Sequence, residues 1–337
     1  MEKVLVTGAS SYIGLHCISE LLAQGFFVLA SLRDQSKISS VVSALKPLIK
    51  NNNLEFVNLD LLEDFGWDSA TRECRYVLHV ASPFPLKDPK HEDELIIPAR
   101  DGTIRALRSS SLSNVKRVVV TSSIAAICYG HDNGDIVLDH DSWTNTNARN
   151  ITSYVKSKTI AEKSAWSFIQ KNKKHLEISV INPGFVLGPL LNNNLEGASA
   201  SIMRKIIMKE IPLIPNIFMN CVDVRDVAKL HVLAMLSPKA NNMRFPCITD
   251  HPISFEEIAK ILITNGISAP SLSAPDWLIR FLGMFNKDMK IASNNLNRKF
   301  LIDNSQTKRV FNWEPIPIEK TIVDMAKDIQ GKINLAM

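Results

Sequence analysis

The sequence predicts an α/β protein: a doubly wound parallel sheet in its first part, with a smaller, irregular lobe behind it. Three observations predict this. Short apolar runs alternate with helical patterns over residues 1–185, the signature of successive β-α-β units. Several of those runs are apolar almost throughout, as strands buried on both faces are. The first run leads directly into a glycine-containing turn, "TGASSYIG" at 7–14, and then into a helical pattern.

In chain order, strands are predicted at 3–7 (KVLVT), 27–32 (FVLASL), 54–58 (LEFVN), 76–80 (YVLHV), 116–121 (KRVVVT) and 177–182 (EISVIN). Helices are predicted over 12–24, stopping at Gly25, which favours a helix C-terminus, and over about 92–110 and 152–172. After "NPGFVLGP" at 182–189 the character changes. Asn-rich and Pro-punctuated stretches alternate with short helical patterns such as 254–264. Residues 1–185 therefore read as a Rossmann-type nucleotide-binding lobe, joined by a strand returning near 244–249 (RFPCIT). Residues 186–337 read mainly as a substrate-binding lobe, and 221–235 as the link between the two. No internal repeat or low-complexity tether separates them.

Composition narrows the function classes. Of 337 residues, 45% are hydrophobic and 22% charged, and the net charge is +5, which is ordinary for a globular enzyme. The basic run "KNKK" at 171–174 reads as the wet end of a helix rather than a nucleic-acid patch. No stretch reaches the ~18 consecutive apolar residues of a membrane span. The first strand begins at residue 3, which leaves no room for a signal peptide. Five scattered cysteines show neither a disulfide framework nor zinc spacing, and the eight histidines form no H-x-x-x-H pair. These features point to a cytoplasmic protein, monomeric or homodimeric, with no metal, nucleic-acid or membrane partner.

The turn at 7–14 sets the chemistry. Thr7 ends the strand, Gly8 permits the tight bend, and Gly14 lets the helix pack closely. Ser10, Ser11, Tyr12 and Ile13 supply the backbone on which a pyrophosphate rests. Ser11 stands where the usual spacing has a middle glycine, so two glycines alone describe a structural turn equally well. The second strand ends in "SLRD", with Lys37 close behind. A carboxylate there binds the ribose of NAD, whereas the guanidinium of Arg33 suits the 2′-phosphate of NADP. Asp34 follows at once and keeps NAD(H) open. Asp60, after the third strand, is placed to meet an adenine amino group, or is simply a turn aspartate. Val80, Ala81 and Ser82 end the fourth strand at the same edge.

The sharpest pattern pairs "TSS" at 121–123 with "YVKSK" at 154–158. Tyr154 and Lys158 are four apart and share one helical face. A nearby ammonium favours phenolate by roughly 1–3 units. Ser123, at the C-terminal end of a central strand, lies where α/β proteins bind ligands. Y-x-x-x-K alone is commonly a surface pair; with the strand-end serines and the nucleotide turn it reads as a catalytic set.

Together these residues resemble the extended short-chain dehydrogenase/reductases, and within them the dihydroflavonol 4-reductase-like carbonyl reductases. The carrying motifs are TGASSYIG, SLRD, LDL (59–61), HVASPF (79–84), RVVVTSS (117–123), YVKSK, NPGFVLGP and VDVRDVAKLHV (222–232). The resemblance implies Ser123, Tyr154 and Lys158 as the catalytic set. Tyr154 would act as acid toward a carbonyl oxygen that Ser123 also holds, while Lys158 binds the nicotinamide ribose and depresses the tyrosine pKa. It assigns Arg33 and Lys37 to the 2′-phosphate, Asp60 and Leu61 to the adenine, and Val80–Ser82 with Thr121 to the ribose region. Pro183 and Gly184 go to the nicotinamide. Pro83, Phe84, Ile124 and Leu187 are expected as substrate walls beside Ser123 and Tyr154.

Two departures stand out. Cys128 occupies the position where plant flavonoid reductases carry Asn, and "NITSYVKSK" at 150–158 lacks the cinnamoyl-CoA reductase motif, so neither plant substrate is supported. The expected activity is NADP(H)-dependent reduction of a small-molecule aldehyde or ketone. Rivals sharing the set are a nucleotide-sugar epimerase or dehydratase and a hydroxysteroid dehydrogenase. A catalytically silent NADP-sensing or scaffold protein is the non-enzyme alternative.

Overall fold

The computed structural model describes residues 2–83, 89–131, 136–149, 151–172 and 175–336. Its strands are β1 (Lys3–Thr7), β2 (Phe27–Leu32), β3 (Leu54–Asn58), β4 (Tyr76–His79), β5 (Arg117–Thr121), β6 (Val137–Leu138) and β7 (Glu177–Pro183). Six more follow: β8 (Phe185–Leu187), β9 (Phe218–Met219), β10 (Cys221–Asp223), β11 (Met243–Cys247), β12 (Ile253–Ser254) and β13 (Leu301–Ile302). Seven of them form one sheet in the order β11-β7-β5-β4-β1-β2-β3, parallel at every pairing. This is the expected doubly wound Rossmann-type sheet.

The order reverses at β1. The chain runs outward through β2 and β3, then returns to pair β4 on the other side, with Thr7 opposite His79. Ligands of such sheets bind in the crevice beyond the strand ends at this switch point. Val4, Leu5 and Val6 are fully buried because helices cover both faces. On one face lie α1 (Tyr12–Ala23) and α2 (Ile38–Leu45); the other carries α3 (Trp67–Arg72), α4 (Asp93–Ser111) and α5 (Ser153–Lys171). The short α2 and α3 fall between the predicted segments. Only Val41 and Leu45 of α2 are buried, too few for a long periodic stripe.

The returning strand β11 starts one residue before the predicted 244–249 and ends two earlier. Beyond it the Thr249 amide turns away to the Cys221 carbonyl. Pro246 is accommodated because β11 is an edge strand. The segment 221–235 divides: β10 pairs with β8, and α7 (Val224–Leu236) packs into the same core as α1.

The second lobe surrounds its own core of Leu187, Met203, Ile206, Leu262, Met325 and Ile329. Leu187 ends β8, and the others come from α6 (Ala198–Ile207), α8 (Phe255–Thr264) and α12 (Ile318–Ala336). Two short helices, α9 (Asp276–Leu282) and α10 (Lys287–Asn295), precede β13, which pairs with β6; α11 (Ser305–Phe311) follows. Among the described residues no helix is long and apolar enough to cross a membrane, and no group of His, Cys, Asp and Glu is arranged to hold a metal.

Candidate active site

The β1–α1 turn is built by contacts that allow no side chain. Gly8 has φ +72°, and a Cβ there would sit 3.0 Å from the Ala81 Cα; one on Gly14 would sit 2.2 Å from the Gly8 carbonyl oxygen. Thr7 ties the two strand ends together, accepting from the Ala81 amide at 3.0 Å and bonding His79 Nδ1 at 3.1 Å. Ser11 is the N-cap of α1. Its hydroxyl accepts from the Gly14 amide at 3.0 Å, the ordinary job of serine at a helix start. The substitution of the middle glycine therefore serves the helix. The Tyr12 and Ile13 amides find no acceptor among the described residues and remain available at the positive end of α1.

At and just after the end of β2, Arg33 and Lys37 are exposed, and their side chains make no hydrogen bond or ion pair among the described residues. Asp34, by contrast, is occupied: its Oδ1 accepts from the Ser36 amide at 3.0 Å and the Ser36 hydroxyl at 2.6 Å. Asp60 is partly occupied by its own turn, Oδ1 accepting from the Leu62 amide at 2.9 Å. The Leu61 side chain packs against Gly102 of α4.

A cavity of about 1390 Å³ runs from this turn to the second lobe. That exceeds the roughly 300–1,000 Å³ of a single drug-sized ligand site. Ser11, Tyr12, Ile13 and Lys37 line one end; Val80, Ser82, Thr121, Ser123, Tyr154, Lys158, Pro183 and Gly184 line its middle, with Pro83 and Ile124 beside them. Thr7, Gly8, Ser10, Arg33, Asp60, Leu61 and Ala81 stand outside its wall. Phe84 lies outside the described residues. Leu187, expected on the wall, is 1% exposed in the second lobe's core, and Leu190 faces the cavity instead.

Tyr154 stands in the first turn of α5, whose N-cap Thr152 accepts from the Val155 amide. Ser123, at the end of β5, accepts from the Ala125 amide at 3.1 Å and reaches toward the Pro183 carbonyl at 3.4 Å. Burial raises the Tyr154 phenol above its ordinary value, and a hydrogen bond with Ser123 opposes this. Burial is the larger of the two influences on the phenol, and Lys158 Nζ donates toward the Thr121 carbonyl at 3.4 Å. Burial pushes Lys158 itself down to about 8, with the Glu162 carboxylate opposing. A phenol held protonated at neutral pH is a donor rather than a base.

Beneath this set lies a buried polar floor that sequence reading missed. Glu162, 1% exposed, accepts from Ser122 Oγ at 2.5 Å, Asn182 Nδ2 at 2.8 Å and Arg244 Nε at 2.5 Å. Asn182 Nδ2 also donates to the Ser123 carbonyl at 3.2 Å. Arg244 donates to the His140 and Ser142 carbonyls and stacks 3.7 Å from the centre of the Trp143 ring. The neighbouring serine, Ser122, is thus committed to Glu162, which leaves Ser123 for the cavity. A second brace is His231, whose Nδ1 lies 2.7 Å from the Val227 carbonyl and whose Nε2 lies 2.6 Å from Thr121 Oγ1. Burial lowers the His231 pKa to about 4, so it is neutral. One signal for Glu162 was in the sequence: Tyr154, Lys158 and Glu162 recur every four residues on one helical face.

Comparison with known proteins places this geometry. Cinnamoyl-CoA reductase CAD2 of Medicago truncatula is 36% identical over 283 residues, 81% of this chain and 82% of that protein. A putative NADPH-dependent methylglyoxal reductase, GRP2 of Candida albicans, is 29% identical across 97% of this chain and 98% of its own length. Among solved structures, Gre2 of Candida albicans in complex with NADPH superposes with a TM-score of 0.79 at 26% identity, covering 98% of this chain and 99% of that one. Yeast methylglyoxal/isovaleraldehyde reductase Gre2, complexed with NADPH, superposes with a TM-score of 0.82 at 23% identity over 98% and 99% of the two chains, and so shares the fold. The model of the 3-beta hydroxysteroid dehydrogenase/isomerase family matches residues 5–271, most of the chain, and the chain therefore belongs to that family.

Proposed function

We propose that the protein is an NADPH-dependent reductase of a small or medium aldehyde or ketone, with Tyr154 as the acid. The observation that carries the reading is convergence. Ser123, Tyr154 and Lys158 come from β5 and α5 to the middle of one cavity whose end is the open N-terminus of α1.

The residues present fit the cofactor. Free Tyr12 and Ile13 amides at a helix N-terminus suit a pyrophosphate, and Gly8 and Gly14 keep the approach clear. Unpaired Arg33 and Lys37 suit the 2′-phosphate, while Asp34 is tied up in its own turn, which favours NADPH over NADH. Bound there, NADPH supplies a hydride. The chain's own part is to hold the substrate oxygen and to provide a proton. Ser123 donates a hydrogen bond to that oxygen. Tyr154, protonated at neutral pH, delivers its proton as negative charge develops on it, and electrostatic stabilisation of that charge is the larger share of such catalysis. Lys158 stabilises the phenolate left behind, because an ammonium beside it lowers its energy.

The test is a panel of aldehydes and ketones, with NADPH loss followed by absorbance and with steroids and nucleotide sugars run alongside. Oxidation of NADPH by one or more simple carbonyls is the expected result. Turnover confined to the steroid or sugar set overturns the reading.

A further inference from the structure

The cavity's far wall carries a positive group that the reductase reading leaves unused. Arg298 lines the cavity, half-buried, and forms no salt bridge among the described residues. Among the described residues its guanidinium makes one hydrogen bond, a long one of 3.5 Å to the Asn294 carbonyl. It is not a loose surface arginine. The segment bearing it is pinned at both ends, by a bridge between Leu296 and Ile217 of the second lobe and by the β13–β6 pairing. The guanidinium carbon lies 5.7 Å from the centre of the Phe300 ring, and Phe300 packs at 4.9 Å on the ring of Tyr129.

Tyr129 also lines the cavity, and its hydroxyl has no hydrogen-bond partner among the described residues. Through Phe300 it is linked to the arginine, and burial holds its phenol protonated. On the same side, exposed Arg149 adds a second unpaired cation. The single carboxylate on the described wall is Glu196, exposed and on a different segment. Lys37 belongs to the opposite, cofactor end. A half-buried guanidinium next to an unsatisfied phenol, with no carboxylate to neutralise it, is a ready receptor for an anion.

We infer that Arg298 and Tyr129 form an anion-recognition subsite, and that the preferred substrate is a carbonyl compound bearing a carboxylate. This inference rests on the reductase reading. Arg298 donates to the carboxylate oxygens, Tyr129 donates its hydroxyl to one of them, and the aldehyde or ketone end is directed to Ser123 and Tyr154.

The experiment compares acids with their methyl esters, so that charge alone changes: 4-formylbenzoate against methyl 4-formylbenzoate, and 4-oxobutanoate against its methyl ester. With NADPH, the wild-type protein should favour at least one acid over its ester by about tenfold or more in kcat/KM. Arg298→Gln should lower that acid-to-ester ratio by roughly 10–100-fold, the range for losing a charge-assisted hydrogen bond. Arg298→Lys should restore part of the preference, and Tyr129→Phe should lower it by a smaller factor. Equal kcat/KM for both acids and their esters overturns the subsite and leaves the reductase reading intact. So does a preference that survives in Arg298→Gln. An equal loss of NADPH affinity in Arg298→Gln, measured by fluorescence titration, also overturns it by moving the arginine to the cofactor. No NADPH oxidation with any of the four compounds, from a preparation that reduces other simple carbonyls, overturns the subsite and leaves the reductase reading intact.

Discussion

Two regions around the cavity, the start of α1 and the floor beneath Ser123, Tyr154 and Lys158, are made of different materials. Around the N-terminus of α1, where we propose the cofactor binds, the available groups are backbone amides and exposed cations: the Tyr12 and Ile13 amides, the clear approach past two glycines, and the Arg33 and Lys37 side chains. Under Ser123, Tyr154 and Lys158 the contacts come from buried side chains bonded to one another, with Glu162 at the centre. The contrast separates two kinds of residue. Those at the rim can change what binds while barely touching the fold, and those in the floor cannot change without the fold responding.

Breaking the floor should give the largest effect. Glu162→Gln leaves the Arg244 guanidinium, 7% exposed, without its carboxylate. Removing one partner of a buried ion pair costs about 3–5 kcal/mol. A urea unfolding curve should therefore shift by that amount; a change under about 1 kcal/mol would show that the floor is not structural.

Breaking the rim should leave stability within about 0.5 kcal/mol, since Arg33 is exposed and unpaired. Arg33→Ala should instead weaken NADPH by about 1.5–3 kcal/mol, or roughly 10–150-fold, with NADH affinity changed little. Titration of both cofactors checks this, and an equal loss for both would remove the 2′-phosphate from the role of Arg33.

The smallest effect sharpens the comparison, because Ser11 stands at the rim yet works for the fold. Its hydroxyl caps α1, so Ser11→Ala should cost about 0.5–2 kcal/mol of stability and Ser11→Gly only a few tenths. Thermal melts of the two variants distinguish this from a serine that governs phosphate binding. In that case Ser11→Gly would shift NADPH affinity by orders of magnitude and leave the melting curve unmoved.

The same contrast explains what was legible in the sequence. Gly8, Gly14, Ser123, Tyr154 and Lys158 are encoded locally: a turn between strand and helix, a strand end, and one helical face. Short-range spacing exposes such features. The sheet was legible because strands buried on both faces read as apolar runs. Arg244 was not, because it meets Glu162 from 82 positions away through a late edge strand. Tyr129 and Arg298 were not, because the wall they share forms only when β13 crosses to β6. Leu187 illustrates the reverse failure. It follows the nicotinamide-side motif in sequence, yet β8 pairs with β10 and turns it into the second core. Asp34 looked like a rival cofactor ligand until its turn was seen to occupy it.

In the proposed reductase Tyr154 delivers the proton, while the cofactor is held chiefly by other groups. The most direct measurement is turnover of Tyr154→Phe beside its NADPH affinity, on one preparation, with an aldehyde that the wild-type protein reduces. General acid catalysis contributes about 10²–10⁴-fold, so kcat should fall by at least about 100-fold while the NADPH Kd stays within about threefold. A variant that turns over at the wild-type rate with unchanged NADPH binding would contradict the account.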